Sequence, residues 1–235
     1  HMRLFISGSA PLLAETHVQF EMRTGHRILE RYGMTETNMS TSNPYNGERR
    51  AGTVGFPLPG IELKITDPAT GEELPQGDIG QIEVRGPNVF KGYWNMPEKT
   101  AEELRTDGFF ITGDLGLVDE DGYLSIVGRN KDLIISGGYN IYPKEIELVL
   151  DEQLGVVESA VVGVPHPDFG ETVVGVLVVD SDSVDIGNIE VAVKEQLARF
   201  KHPRQLVIVD ALPRNTMGKV QKNLLRVQYK GLFIN

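Results

Sequence analysis

Asp114 and Arg129 stand at the two ends of a segment that reads as a hairpin. Leu115 to Val118 and Tyr123 to Val127 are short strand patterns joined through Asp121-Gly122, a dipeptide that favours a tight turn. A hairpin brings its ends together, so a carboxylate and a guanidinium should meet at one rim of a small sheet. The carboxylate can accept two hydrogen bonds from a vicinal diol, and the guanidinium can donate to the same diol. Ribose is the natural candidate, and a plain surface salt bridge is the alternative. A second feature is cationic. From Lys194 to Lys230 there are nine Lys or Arg against two acids, a local +7 that leaves −17 for the rest of a chain whose net charge is −10. A basic face on an acidic protein points to a discrete polyanionic ligand and argues against nucleic acid as a general partner. A solvated helix face accounts for Lys194, Arg199 and Lys230, but less well for Lys219, which sits in a turn after Gly218.

The motifs Thr112-Gly113-Asp114, Gly128-Arg129-Asn130-Lys131-Asp132 and Ser136-Gly137-Gly138-Tyr139-Asn140-Ile141-Tyr142-Pro143 resemble those of the adenylate-forming acyl-CoA synthetases. Upstream, Tyr32-Gly33-Met34-Thr35-Glu36-Thr37 resembles the phosphate and magnesium motif of that family; downstream, Pro213-Arg214-Asn215-Thr216-Met217-Gly218-Lys219 resembles its catalytic-lysine loop. Motifs in the expected order across the whole chain carry far more weight than any one alone. LERYGMTETNMSTSNPY and GPNVFKGYWNMPEKT resemble the malonate-activating branch, the malonyl-CoA synthetases.

The resemblance implies a two-step reaction: a carboxylate attacks the α-phosphorus of ATP to give an acyl-adenylate and pyrophosphate, and the thiol of coenzyme A then attacks the mixed anhydride. It implies that Gly8, Ser9, Ala10, Pro11 and the Tyr32 ring sandwich the adenine, with Gly33 beside them. Thr35 contacts the α-phosphate, Glu36 holds Mg²⁺, and Asp114 and Arg129 hold the ribose. Lys219 bridges carboxylate and phosphate in the first step, where two anions meet and donors must be aimed at the phosphate. Lys131 is the hinge, and Gly137 and Gly138 leave space for the pantetheine arm in the second step. A dicarboxylate such as malonate needs a cation for its distal end, for which Arg31 is in reach by sequence; Asn38, Met39 and Ser40 imply a small, partly polar pocket floor. One departure stands out: the glycine, serine and threonine-rich loop that cradles the β- and γ-phosphates in the family has no counterpart here. Two function classes therefore stand side by side, a working acid-thiol ligase (for malonate, or for fatty or aryl acids) and a catalytically incomplete polypeptide that binds adenylate or CoA.

The elements that must position these residues can be read in outline. Arg3 to Ser7, a helix over Ala14 to Thr24 stopped by Gly25, and Ile28 to Glu30 form a strand-helix-strand pattern, the end of a Rossmann-like parallel sheet. Alternation over Ile61 to Thr66 and Ile79 to Arg85, with turns at Asp67-Pro68 and Thr70-Gly71, predicts a β-rich subdomain over residues 51–130, which the resemblance implies is barrel-like. The loop carrying Phe90, Tyr93 and Trp94 reads as local packing, with Pro97 opening a short helix to Leu104. Residues 131–235 then read as a small α+β domain, which the resemblance implies is mobile. It combines a strand over Asp132 to Ser136, a helix over Pro143 to Glu152, strands over Val156 to Val164 and Thr172 to Val179, a helix over Ile189 to Phe200, a strand over Gln205 to Asp210, the Lys219 loop and a last helix, which together predict a three-stranded sheet with flanking helices. The predicted class is α/β followed by α+β.

With 235 residues and 40% hydrophobic composition the chain can bury a real core. It has no cysteine, which excludes thiol nucleophiles, disulfides and cysteine-bound metal and fits a reducing compartment. No apolar run approaches the roughly 20 residues that span a bilayer; a cytoplasmic protein is the expectation, and Arg3 enters a strand directly, as if the chain opens inside a domain.

Overall fold

The computed structural model describes residues 2–8, 12, 14–180, 184–216 and 218–234. The chain divides into two compact units, His1–Asn130 and Lys131–Asn235.

In the first unit, β1 (Ile6–Ser7) is followed by α1 (Ala14–Thr24) and β2 (Leu29–Met34). The helix stops where the sequence predicts, because Gly25 takes φ +70° and donates its N–H to Glu21 O at 2.8 Å. β1 is shorter than the apolar run from Arg3, and it pairs in parallel with β2 at Ile6↔Leu29 and Ser7↔Glu30. Parallel pairing ends there. β2 turns back through Thr35, Glu36 and Thr37 into antiparallel β3 (Asn38–Ser42), which pairs with β4 (Phe56–Pro57). Gly33 permits this return: a Cβ at that position would lie 1.8 Å from Asn38 O. Asn38 completes the turn at φ +51°, a conformation its short polar side chain tolerates.

The alternating segment forms β5 (Glu62–Thr66), β6 (Gly80–Arg85), α2 (Pro97–Glu103), β7 (Phe110–Val118) and β8 (Leu124–Arg129). The four strands pair antiparallel in chain order, β5-β6-β7-β8. Among the described residues this is an open sheet with β5 and β8 at its edges, so the barrel-like expectation resolves into a sheet that does not close. Its inner residues Ile82, Val84, Phe110 and Leu124 pack with Tyr32 and Ile65 in one core. The hairpin turn differs from a two-residue Asp-Gly turn. Asp119 and Tyr123 still bond across it, Asp119 N to Tyr123 O at 3.0 Å. Asp119 Oδ1 accepts from Tyr123 N at 2.8 Å. Three residues therefore close the loop, with Gly122 at φ +89° in the left-handed position such loops require.

The second unit opens on a 3₁₀ turn at Asn130–Asp132, which straddles the boundary. It continues as β9 (Ile134–Ser136), β10 (Tyr139–Ile141), α3 (Pro143–Asp151), β11 (Val156–His166), β12 (Gly170–Val179), α4 (Ile186–Gln196), β13 (Gln205–Ile208) and α5 (Lys222–Tyr229). The sheet has five strands rather than three, in the order β10-β9-β12-β11 with β13 parallel to β12. β9 lies within the predicted strand Asp132 to Ser136, and the strand not predicted, β10, pairs with it in a hairpin closed by Gly137 and Gly138, both at positive φ (+56° and +85°). That is the requirement of a two-residue turn matched to strand twist. β11 and β12 alternate across the sheet: Val161, Val173 and Leu177 pack under α3 and α4, while Ala160, Val162, Val164, Val174 and Val176 pack with Leu225 of α5. Both faces are covered, which is why the two strands read as unbroken apolar runs. α4 begins three residues before the predicted start because Asp185 caps it, Oδ1 accepting from Gly187 N at 2.8 Å. It also ends earlier than Phe200, and Arg199–Lys201 form a separate 3₁₀ turn.

Candidate functional site

In the first unit the register sets Asp114 directly opposite Arg129, with Nε 3.3 Å from Oδ1. A bulge makes this so. Gly116 pairs with Ile126 but Leu115 pairs with Gly128, leaving Val127 as an extra residue. In a regular ladder continued from the Gly116–Ile126 pair, Asp114 would face Gly128 and Arg129 would project from the other side of the sheet. The Asp114 side chain is 8% exposed and the Arg129 side chain 49%, so the carboxylate is a fixed floor and the guanidinium a rim. Behind the carboxylate, the buried Tyr32 hydroxyl donates to Asp114 Oδ2 at 2.6 Å. Burial and the neighbouring Asp114 anion push the phenol pKa well above its ordinary value, so Tyr32 stays a donor. The Asp114 backbone is held as well, its N–H by Thr112 Oγ1 at 3.1 Å and its carbonyl by Gln81 Nε2 at 2.9 Å.

Thr35 and Glu36 occupy the β2–β3 turn, Thr35 exposed and Glu36 half-buried. The following loop is laced to that turn. Phe90 N donates to Glu36 O at 2.8 Å, Asn88 Nδ2 donates to Thr37 O at 2.6 Å, and the Tyr93 hydroxyl lies 3.1 Å from Glu36 Oε1 and 2.6 Å from Glu103 Oε2. Burial and the Glu103 hydrogen bond raise the Tyr93 pKa. Burial alone would raise Glu103, but Lys99 at 2.6 Å and Tyr93 outweigh it and hold that carboxyl below its usual range. Tyr93 is thus a contact of Glu36, although its place in the sequence suggests packing alone. Phe90 does pack, edge-on to Tyr93 and Phe110; Trp94 does not, being 89% exposed. Among the described residues no three acids or histidines gather as a metal site. A single carboxylate suits Mg²⁺, which keeps its waters and takes further oxygens from substrate phosphates.

The remaining first-unit candidates separate. Arg31 is exposed and crosses Gly8, where a Cβ would lie 2.8 Å from Arg31 Cγ. Met39 is half-buried on β3 next to Asn38. Ser40 is fully buried and donates to Thr37 Oγ1 at 2.9 Å, so it is part of the turn's packing and not a pocket floor. Ser9, Ala10 and Pro11 lie outside the described residues.

In the second unit, Lys219 is exposed on a tight loop. Its N–H donates to Asn215 Oδ1 and its carbonyl accepts from Asn215 N, each at 2.9 Å, with Gly218 at φ +79°. Lys131 is exposed in the 3₁₀ turn at the first position of the unit. The basic segment does not form one face. Lys194, Lys201, Arg214, Lys222 and Arg226 each pair with an acid, respectively Glu190, Glu145, Glu158, Glu147 and Asp132. Among the described residues Arg199, Arg204, Lys219 and Lys230 make no such pair. Arg199 and Arg204 line a groove of about 390 Å³ together with Ser136, Gly137 and Tyr139. Its aromatic surfaces are a stacked Tyr139–Phe200 pair with centroids 4.6 Å apart, and Phe169 with the Arg204 guanidinium 4.5 Å above it. Gly137 therefore borders a groove carrying two cations and flat faces. Sequence reasoning singles out Gly137 and its motif neighbours Ser136 and Tyr139, and reads Arg199 as part of a solvated helix face, but it does not pick out Phe169, Phe200 or Arg204; the run Arg199-Phe200-Lys201-His202-Pro203-Arg204, cationic and broken by proline, is the available signal.

Residues 1–94 match the family described as AMP-binding enzyme, and residues 145–219 match the AMP-binding enzyme C-terminal domain. A malonate–CoA ligase of Arabidopsis thaliana is 45% identical over 96% of this chain, which covers 38% of that protein. A long-chain-fatty-acid–CoA ligase of Bacillus subtilis is 40% identical over 94% of this chain, covering 40% of its length. The crystal structure of ATP-bound MatB from Rhodopseudomonas palustris matches with a TM-score of 0.95 at 63% identity, over 99% of this chain and 46% of that one. The chain thus spans less than half the length of these relatives. On the agreement of sequence, fold and motif order, it belongs to the AMP-binding family of adenylate-forming enzymes.

Proposed function

We propose that this chain carries the adenylate- and CoA-handling part of an ATP-dependent acyl-CoA ligase acting on malonate or a similar small dicarboxylate. The observation that carries the reading is the Asp114–Arg129 pair, a buried carboxylate and a half-exposed guanidinium set opposite each other by a bulge and suited to a ribose diol. Tyr32, Gly33 and the segment Gly8 to Pro11 take the adenine, and Thr35 donates to the α-phosphate. Mg²⁺ held by Glu36 and phosphate oxygens would neutralise charge on the leaving pyrophosphate. Lys219 brings its ammonium between the acid and the α-phosphate, where two anions must approach. For the second step the groove beside Gly137 and Gly138 supplies what coenzyme A requires: room for a narrow pantetheine arm, Arg199 and Arg204 for phosphates, and aromatic faces for a base. Lys131, at the first position of the second unit, is the hinge between the two half-reactions. Arg31 and Met39 are assigned to the acid, with Arg31 pairing the distal carboxylate.

The test is product formation from ATP, Mg²⁺, CoA and a panel of acids, with AMP and CoA esters measured by mass spectrometry. Malonyl-CoA as the dominant product is the expected result. Preference for octanoate or benzoate would reassign the acid and leave the reaction class standing. A second reading, a polypeptide that binds adenylate or CoA without turnover, is favoured by one observation, that the chain covers 38% of the malonate–CoA ligase it resembles. Nucleotide binding with no AMP formed from any acid would select it.

A further inference from the structure

We propose that the Tyr32 hydroxyl sets the preference of this nucleotide site for ribose over deoxyribose by holding the Asp114 carboxylate in a single orientation. The inference rests on the assignment of Asp114 and Arg129 to the ribose. A carboxylate turns about a broad, two-fold torsion, and a vicinal diol profits from it only if both oxygens stay where the two hydroxyls will be. In this site the two oxygens are fixed by different elements. Tyr32, on β2, donates to Oδ2 at 2.6 Å from the opposite sheet, 82 residues away in sequence. Arg129, on β8, meets Oδ1 at 3.3 Å. Tyr32 is 7% exposed and Asp114 6%, which leaves little room for water to replace the phenol as donor. The Tyr32 ring packs with Ile65, Ile82, Phe110 and Leu124, so the ring's position and the direction of its O–H are set together. Phenylalanine at this position keeps the packing and any contact of the ring with adenine, and removes only the hydrogen bond.

The experiment compares kcat/KM for ATP, 2′-deoxy-ATP and 3′-deoxy-ATP in the full-length enzyme carrying Tyr32→Phe, Asp114→Ala, or both, with thermal unfolding as a control. A hydrogen bond to a charged group lost from the site should lower the ATP value by on the order of tenfold and the deoxynucleotide values by less than about threefold, so the ATP to deoxy-ATP ratio contracts. In the Asp114→Ala background Tyr32→Phe should leave the ratio unmoved, because both changes act through one carboxylate. A uniform loss with all three nucleotides would make Tyr32 a packing or stacking residue and overturn the proposal, as would contraction of the ratio in the Asp114→Ala background. Absence of ATP turnover by the unmodified enzyme would remove the ribose assignment and this proposal with it, an outcome distinguishable from a Tyr32→Phe enzyme that works and discriminates as before.

Discussion

Asp114 in the first unit is 6% exposed and held at its side chain by Tyr32 of β2, at its N–H by Thr112 of its own strand and at its carbonyl by Gln81 of β6. Lys219 in the second unit is exposed, and the bonds that shape its loop run through its backbone to Asn215. The first arrangement is a preorganised cradle whose geometry exists before any ligand arrives. The second leaves an ammonium on a four-carbon stem free to be delivered. The same contrast recurs between the half-buried Glu36, laced to a neighbouring loop by Tyr93, and the groove cations Arg199 and Arg204, which stand at a surface. The difference fits the roles proposed for the two groups. A sugar is recognised by fixed donors and acceptors, whereas a charge that acts on one half-reaction gains from being placed only when needed.

If that contrast is right, the largest effect comes from the delivered charge. Lys219→Ala in the full-length enzyme should slow adenylate formation by on the order of 10² to 10³, while thioester formation from a supplied acyl-adenylate changes far less. Measuring the two half-reactions separately decides it; equal losses would make Lys219 a structural residue. A smaller effect is expected at the groove. Arg199→Ala and Arg204→Ala should each raise the KM for CoA by on the order of tenfold, the scale of a lost charged hydrogen bond, and leave the KM for ATP in place. Steady-state kinetics with CoA and with a phosphopantetheine thiol lacking the nucleotide separates this from general damage, since the truncated thiol should be indifferent to either change.

The smallest effect tests scaffold against site. Asp151, on α3, accepts from Ser159 Oγ at 2.6 Å, and burial raises its pKa above the ordinary aspartate value. A carboxyl raised in the folded state binds its proton more tightly folded than unfolded. Its contribution to stability is therefore greatest below the unfolded pKa and is lost as pH rises through the folded one. Asp151→Asn should then raise the melting temperature at pH 7 by about 1–2 °C, with the gain shrinking toward pH 4 and both half-reactions unaltered. A melting temperature that falls at pH 7 would show that the ionised carboxylate, with Lys144 nearby, is worth more than its burial costs.

Local chemistry alone determined much of this protein. Gly25 ends α1, Pro97 opens α2, the alternation in Glu62–Thr66 and Gly80–Arg85 makes two strands, and the apolar runs of β11 and β12 announce a sheet covered on both faces. Each follows from φ preferences, side-chain periodicity or burial, which are properties of neighbouring residues. The five motifs were legible for the same reason, being contiguous. The tertiary structure decided what depends on distant partners. The bulge at Val127 is invisible to a period-2 pattern, yet its register shift is what sets Asp114 opposite Arg129 in place of Gly128. Tyr32 reaches Asp114 from a different sheet, and Tyr93 reaches Glu36 across a loop whose aromatics read as packing. The basic segment looked like one face, but five of its cations are paired with acids brought from as far away as Asp132. Where Arg199 and Arg204 gather was therefore a matter of which cations the fold left over, and no count of charges along the chain contains that.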